Sequence, residues 1–137
     1  MSNQNTPEYV EAISVACVQN DKVLLIKRAH APSEGLWCFP GGKVKPGESL
    51  ETAAARELQE ETALIATNLT EWTIAYPVAT SNYPNFRIHV FKCICAQGKA
   101  SAGSDAEELS WFSWEDSMHL PLVPGMQQHI QKLLLPM

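Results

Sequence analysis

The stretch Gly41–Leu64, GGKVKPGESLETAAARELQEETAL, decides how this chain is read. It opens on a tight glycine turn, runs through a short extended piece and a second turn at Pro46–Gly47, and then becomes helical. Leu50 to Thr62 contains no Gly or Pro and is rich in Ala, Leu and Glu, all good helix formers. Ser49 is the expected N-cap, its hydroxyl accepting from a free amide of the first turn. At about 100° per residue, Glu57, Glu60 and Glu61 share an arc of roughly 100°. Ala54, Ala55 and Leu58 occupy the adjoining arc, which can pack on a sheet. One edge of the buried face is therefore lined with carboxylates.

This arrangement works against local helix stability. Glu57 and Glu61 are like charges at i,i+4, and Glu60 and Glu61 sit in the last turn, where the helix dipole disfavours negative charge. Arg56 is the only cation on the helix. Local rules broken without local compensation point to working sites. A divalent cation would remove both penalties, because clustered carboxylate oxygens are what Mg²⁺ or Mn²⁺ prefers. A solvated acidic face on a surface helix is the plainer alternative.

The spacing around the helix is Gly42, five residues, Glu48, seven residues, Arg56-Glu57-Leu58, one residue, Glu60-Glu61, one residue, Ala63-Leu64. This closely resembles the Nudix box of the MutT-like Nudix hydrolases, and GLWCFPGGKVKPGE extends the likeness upstream. One position departs: Ala63 stands where the family has Gly. A Gly just past a helix supplies a left-handed residue that ends it. Ala in that conformation costs about 1 kcal/mol, or else the helix exits differently.

Composition sets the outer bounds. With 137 residues, 45% of them hydrophobic, the chain reads as one globular domain over 1–137, with residues 1–8 a loose tail. A net charge of -5 without a basic run argues against nucleic-acid binding through phosphates. No apolar run is long enough to span a membrane, and MSNQNTPEYVEA has no signal-peptide core, so a cytoplasmic protein is expected. Cys17, Cys38, Cys93 and Cys95 form no CxxC pair and read as reduced, buried thiols.

Along the chain, Tyr9–Gln19 and Lys22–Arg28 read as a strand hairpin turning at Asn20-Asp21. Leu36–Phe39, Glu71–Ala79, Phe86–Ala96 and Leu109–Ser113 read as further strands, and Ser113–Asp116 as a helical turn. The run SNYPN marks a long polar connection that could lie over the site. Pro124 is placed for the first turn of a last helix with Met126, Ile130, Leu133 and Leu134 as its apolar stripe. Trp37 reads as core before base-stacking platform, and His89 as a core or edge residue before a ligand. Arg28 is an ordinary surface charge or a phosphate contact, since a guanidinium can grip phosphate oxygens with two donors.

The resemblance implies an α/β fold, the Nudix-type α/β/α sandwich with a mixed β-sheet. It implies Mg²⁺- or Mn²⁺-dependent hydrolysis of a phosphoanhydride bond in a nucleoside diphosphate linked to another group. Glu57 and Glu61 would hold metal, and Glu60 would hold metal or accept the proton of the attacking water. Gly41 would offer a backbone carbonyl, Arg56 would orient a carboxylate, and Glu48 would support the loop or reach a metal. Asp105, Glu107 or Glu108 would add a further ligand. The text outside the box, SDAEELSWF and LPLVPG, is similar to proteins described as ADP-ribose pyrophosphatases, which makes ADP-ribose or a related nucleoside diphosphate sugar the expected substrate. The Pro that often marks those enzymes falls on Ala79, two residues from Pro77. A MutT-like nucleoside triphosphate pyrophosphohydrolase and a non-catalytic nucleotide sensor are the alternatives. The partner is a small nucleotide, with no nucleic acid or membrane, and the chain a monomer or homodimer.

Overall fold

The apolar run near the N-terminus becomes the strand on which the sheet is built. In this computed structural model, which describes residues 9–31, 33–77, 85–94, 96–103 and 106–135, β1 (Val10–Gln19) turns at Asn20 and Asp21 and pairs antiparallel with β2 (Lys22–Arg28). Both turn residues are left-handed, with φ of 54° and 62°, a conformation Asn and Asp tolerate better than most residues. There follow β3 (Trp37–Cys38), β4 (Gly41–Lys43), α1 (Leu50–Thr62), β5 (Leu69–Ala75), β6 (Phe86–Ile94), β7 (Ala106–Phe112), α2 (Trp114–Ser117) and α3 (Met126–Leu134).

The strands form one sheet in the order β3-β2-β1-β6-β5, with β4 added to β1 and β7 to β2. β1 and β6 run parallel, Ile13 beside His89, and every other pair is antiparallel. β1 is covered on both sides. Ile13, Val15 and Cys17 pack with Phe91 and Cys93 against Ala53, Ala54 and Leu58 of α1. Ala16, Val23, Leu25 and Val90 pack with Met126 and Ile130 of α3. Burial on both faces explains why β1 reads as a nearly unbroken apolar run. The architecture is the expected mixed sheet between helices.

Details shift at the element ends. α1 begins and ends as expected, but Ala53 is buried in its core stripe where Ala55 was expected, because the helix rests on its Ala53–Ala54 edge. β5 starts at Leu69, two residues early, and ends at Ala75; Ala79 lies outside the described residues. β7 starts at Ala106, three residues early, because Ala106 and Glu108 pair with Arg28 and Lys27 of β2, and the Glu107 and Glu108 carboxylates lie 3.3 and 3.6 Å from Lys27 Nζ. Pro124 precedes the cap of α3 instead of entering its first turn, because Gly125, at φ 85°, takes the N-cap position. Trp37 is core, edge-on to Phe112 at 5.2 Å between ring centroids. His89 lies on the face of β6 with Nε2 2.7 Å from Glu11 Oε1, and Arg87 grips the same carboxylate with two nitrogens. Cys17, Cys38 and Cys93 are buried and form no disulfide among the described residues; Cys95 lies outside them. No helix among the described residues is long and apolar enough to cross a membrane.

Leu58 is fully buried between α1 and the sheet. Leu58→Ala is expected to lower unfolding free energy by about 2–5 kcal/mol, read by urea denaturation. A change within about 0.5 kcal/mol would show that α1 does not depend on this face.

Candidate active site

The motif residues meet where α1 crosses β4. Ser49 caps the helix, its Oγ accepting from Thr52 N–H at 3.1 Å. Below the helix, Gly41 and Gly42 pair with Ser14 and Ile13 of β1. Gly42 must lack a side chain, because a Cβ there would overlap the Glu57 carboxylate. A Cβ on Gly41 would strike the Ile13 carbonyl. The glycine pair thus lets helix and strand approach so closely that backbone and carboxylates share one space. Gly41 N–H donates to Glu61 Oε1 at 3.0 Å.

Arg56 is the hub of the patch. Its Nε donates to Glu48 Oε2 at 2.7 Å, and Nη2 to Glu48 Oε1 at 3.0 Å and the Lys43 carbonyl at 3.1 Å. Nη1 donates to Glu57 Oε2 at 3.0 Å and Glu60 Oε1 at 3.1 Å. All donors of the fork are used, and charge-assisted bonds of this kind are the strong ones. Arg56 was expected to orient one carboxylate; it holds three. The Glu48 side chain stands under both Arg56 and the Lys45 amide, which hold its carboxyl down to about 2. Arg56 is pushed above its ordinary value, chiefly by Glu48. Of the two roles expected for Glu48, the loop-supporting one matches these bonds.

Exposure separates the helix carboxylates. Glu57 and Glu61 are 8% and 4% exposed, while the Glu60 side chain is 49% exposed. At the other end of the patch, Arg28 hydrogen-bonds the Cys38 thiol. Burial pushes that thiol up to about 11, Arg28 opposes the rise, and the nearby Glu61 charge adds to it. Arg28 and Glu61 are both near enough to Cys38 for their charges to act on its thiol. Glu107 and Glu108 face Lys27, and Asp105 lies outside the described residues.

As placed, no three His, Cys, Asp or Glu side chains among the described residues converge on one point as a ready cation site. The carboxylates lean on Arg56 and Gly41 instead. The donor set nonetheless fits a hard divalent cation. It is all oxygen: Glu48, Glu57 and Glu60 share the Arg56 guanidinium and Glu61 leans on Gly41 N–H, leaving an excess of negative charge beside buried groups. A hollow of about 400 Å³ bordered by Ser49, Thr52, Thr67 and Asn68 holds none of the three helix glutamates, so the chemistry is located by side chains and not by a cavity.

Sequence and fold comparisons place the chain in a family. Residues 8–133 match the NUDIX domain model. The chain belongs to the Nudix family. Nucleoside triphosphatase NudI of Escherichia coli O1:K1 is 32% identical over 117 residues, covering 77% of this chain and 83% of that protein. The crystal structure of a MutT NUDIX hydrolase from Burkholderia pseudomallei superposes with a TM-score of 0.85 at 26% identity, covering 92% of this chain and 98% of that one. A bifunctional NMN adenylyltransferase/ADP ribose pyrophosphatase from Francisella tularensis, complexed with AMP and a manganese ion, shares the fold at TM-score 0.75 and 22% identity, covering 96% of this chain and 43% of that one. This protein is a Nudix hydrolase.

The family's departure at Ala63 is resolved by the backbone. Ala63 is left-handed, with φ 66°, and its N–H donates to Gln59 O. Ala takes the Gly conformation in this Nudix protein, and Glu57, Glu60 and Glu61 stay on the regular helix before it. Sequence reasoning missed Gly103, whose neighbour is the carbonyl of Glu60, 43 residues away by number. It also missed Cys38 as a partner of Arg28. Neither carries a local signal.

Glu48 gives a pH signature. Its folded-state carboxyl titrates near 2 against an ordinary 4.5, so its contribution to stability is full above 4.5 and is lost as the pH falls toward 2. The thermal midpoint of Glu48→Gln is expected to lie below that of the unaltered protein at pH 7, with the gap closing between pH 4.5 and 2. A gap that persists unchanged at pH 2 would remove charge as the reason.

Proposed function

We propose that this protein hydrolyses a phosphoanhydride bond of a nucleoside triphosphate, with Mg²⁺ or Mn²⁺ held at Glu57, Glu60, Glu61 and the Gly41 carbonyl. The observation that carries the reading is the Arg56-centred carboxylate cluster over the Gly41–Gly42 strand. The cation, when bound, would neutralise phosphate oxygens and lower the pKa of a water. The remaining work falls to the protein. Arg28, at the end of β2, carries the two-donor guanidinium suited to gripping phosphate oxygens. Arg56 holds Glu57 and Glu60 on one side of the patch, which limits how far either must turn to meet a cation. Water attacks phosphorus, the bond to the leaving phosphate breaks, and the proton of the water goes to a carboxylate. Glu60 is the carboxylate best placed to take it, since it is the one of the three that reaches solvent.

Two substrates compete. The text outside the motif favours ADP-ribose. The relative above 30% identity over most of the chain is named for nucleoside triphosphates, whereas the ADP ribose pyrophosphatase neighbour, at 22% identity, supports the fold alone. Nucleoside triphosphates are therefore placed first. In a panel with Mg²⁺ or Mn²⁺, pyrophosphate release from nucleoside triphosphates is expected to exceed turnover of ADP-ribose. The reverse order would replace the substrate and keep the hydrolase. Tight nucleotide binding without turnover would make the domain a sensor.

Glu60→Gln and Glu61→Gln are each expected to reduce turnover by about two orders of magnitude or more with circular dichroism unchanged. Full Mg²⁺-dependent activity in both would sink these roles.

A further inference from the structure

The end of α1 is held by a segment far away in sequence. Ser101 N–H donates to the Thr62 carbonyl at 2.8 Å, and Gly103 N–H to the Glu61 carbonyl at 2.9 Å. Ile65 and Gln97 exchange two backbone bonds of 2.8 and 2.9 Å on the other side of the helix exit. Inside the exit, the Thr62 hydroxyl bonds the Leu58 carbonyl at 2.6 Å and accepts from Leu64 N–H at 3.2 Å. Residues 97–103 thus wrap the last turn and keep Ala63 in its left-handed conformation. A strained residue persists where its surroundings over-determine it.

Gly103 is the closest point of this wrap. A Cβ there would run into the Glu60 carbonyl and crowd Glu61 Cα. These are main-chain atoms that cannot rotate aside, so a side chain at this position must force the last turn of α1 and this segment apart. Gly98 is different. It has φ +105°, but its Cβ would lie 3.5 Å from the Ala63 carbonyl, an ordinary contact. Glu57 is anchored one turn earlier against Gly42, and Glu61 Oε1 is anchored to Gly41 N–H. A shift confined to the last turn would therefore move Glu60 and Glu61 relative to Glu57. The two amides also draw off the negative end of the helix dipole, where these carboxylates sit.

We propose that Gly103 is a positioning residue: by lying bare against the Glu60–Glu61 backbone, it sets where those carboxylates stand relative to Glu57. The inference rests on the cation reading of the patch and deepens it.

The test is Mn²⁺ affinity of the full chain without nucleotide, read as free Mn²⁺ by electron paramagnetic resonance. Gly103→Ala is expected to weaken Mn²⁺ binding by about tenfold or more, as changes behind a ligand shell do. Gly98→Ala, with its backbone strain but without the push, is expected to lower the thermal midpoint and leave affinity within about twofold. Folded Gly103→Ala with unaltered affinity overturns the inference. So does an equal loss of affinity in both variants, which would make the loop merely structural. Failure of the unaltered protein to bind Mn²⁺ removes the cation reading itself, and the inference falls with it. Should Gly103→Ala not fold, amide exchange in the unaltered protein decides. Coupling between sites is reciprocal, so saturating Mn²⁺ is expected to slow exchange at Ser101 and Gly103. Unchanged exchange at both amides overturns the inference.

Discussion

The Arg56 guanidinium is placed where Glu48, Glu57 and Glu60 meet, and the order of the site depends on it. A buried carboxylate without a partner would protonate or turn outward, because removing its charge from water is costly. Here one cation with five fixed donors ties the loop after β4 to the helix and aims two of the helix carboxylates. Lys in this place could not do so, since a point charge on a flexible stem has no fork to divide among acceptors. The cluster still carries more negative than positive charge. That imbalance burdens stability, and it is what a bound divalent cation would offset.

Backbone proximity is the second condition. Two glycines on β4 bring main chain within hydrogen-bond reach of Glu61 and leave room for Glu57. A third, Gly103, does the same from the opposite side at the helix end. The helix is therefore gripped at backbone level on both flanks, while its apolar stripe of Ala53, Ala54 and Leu58 rests on β1 and β6. Small residues at these contacts trade side-chain burial for positional accuracy. The accuracy is useful only if the carboxylates above must hold fixed spacings, as a cation or a reacting phosphate would require.

Much of this was legible before the structure. The helix over Leu50–Thr62, its Ser49 cap and the carboxylate arc follow from propensity, capping chemistry and a period of 3.6, all of which act within a few residues. The hairpin at Asn20–Asp21 was legible for the same reason. Strand ends were less so. β7 starts early because Lys27 on a neighbouring strand meets Glu107 and Glu108, and β5 starts early because Leu69 is paired to Cys93. Pairing partners of this kind are set by register between distant segments, which no local pattern encodes.

The sequence by itself determined the helix, the order of its charged residues and the family to which the pattern belongs, because those are properties of neighbours along the chain. Tertiary structure alone decided that Arg56 serves three carboxylates, that Arg28 reaches Cys38, that Ala63 can do the work of a glycine, and that residues 97–103 close the helix end. Each of these is a contact between segments brought together only when the sheet forms. Its energy depends on distance and burial, and neither is written in the spacing of residues along a chain.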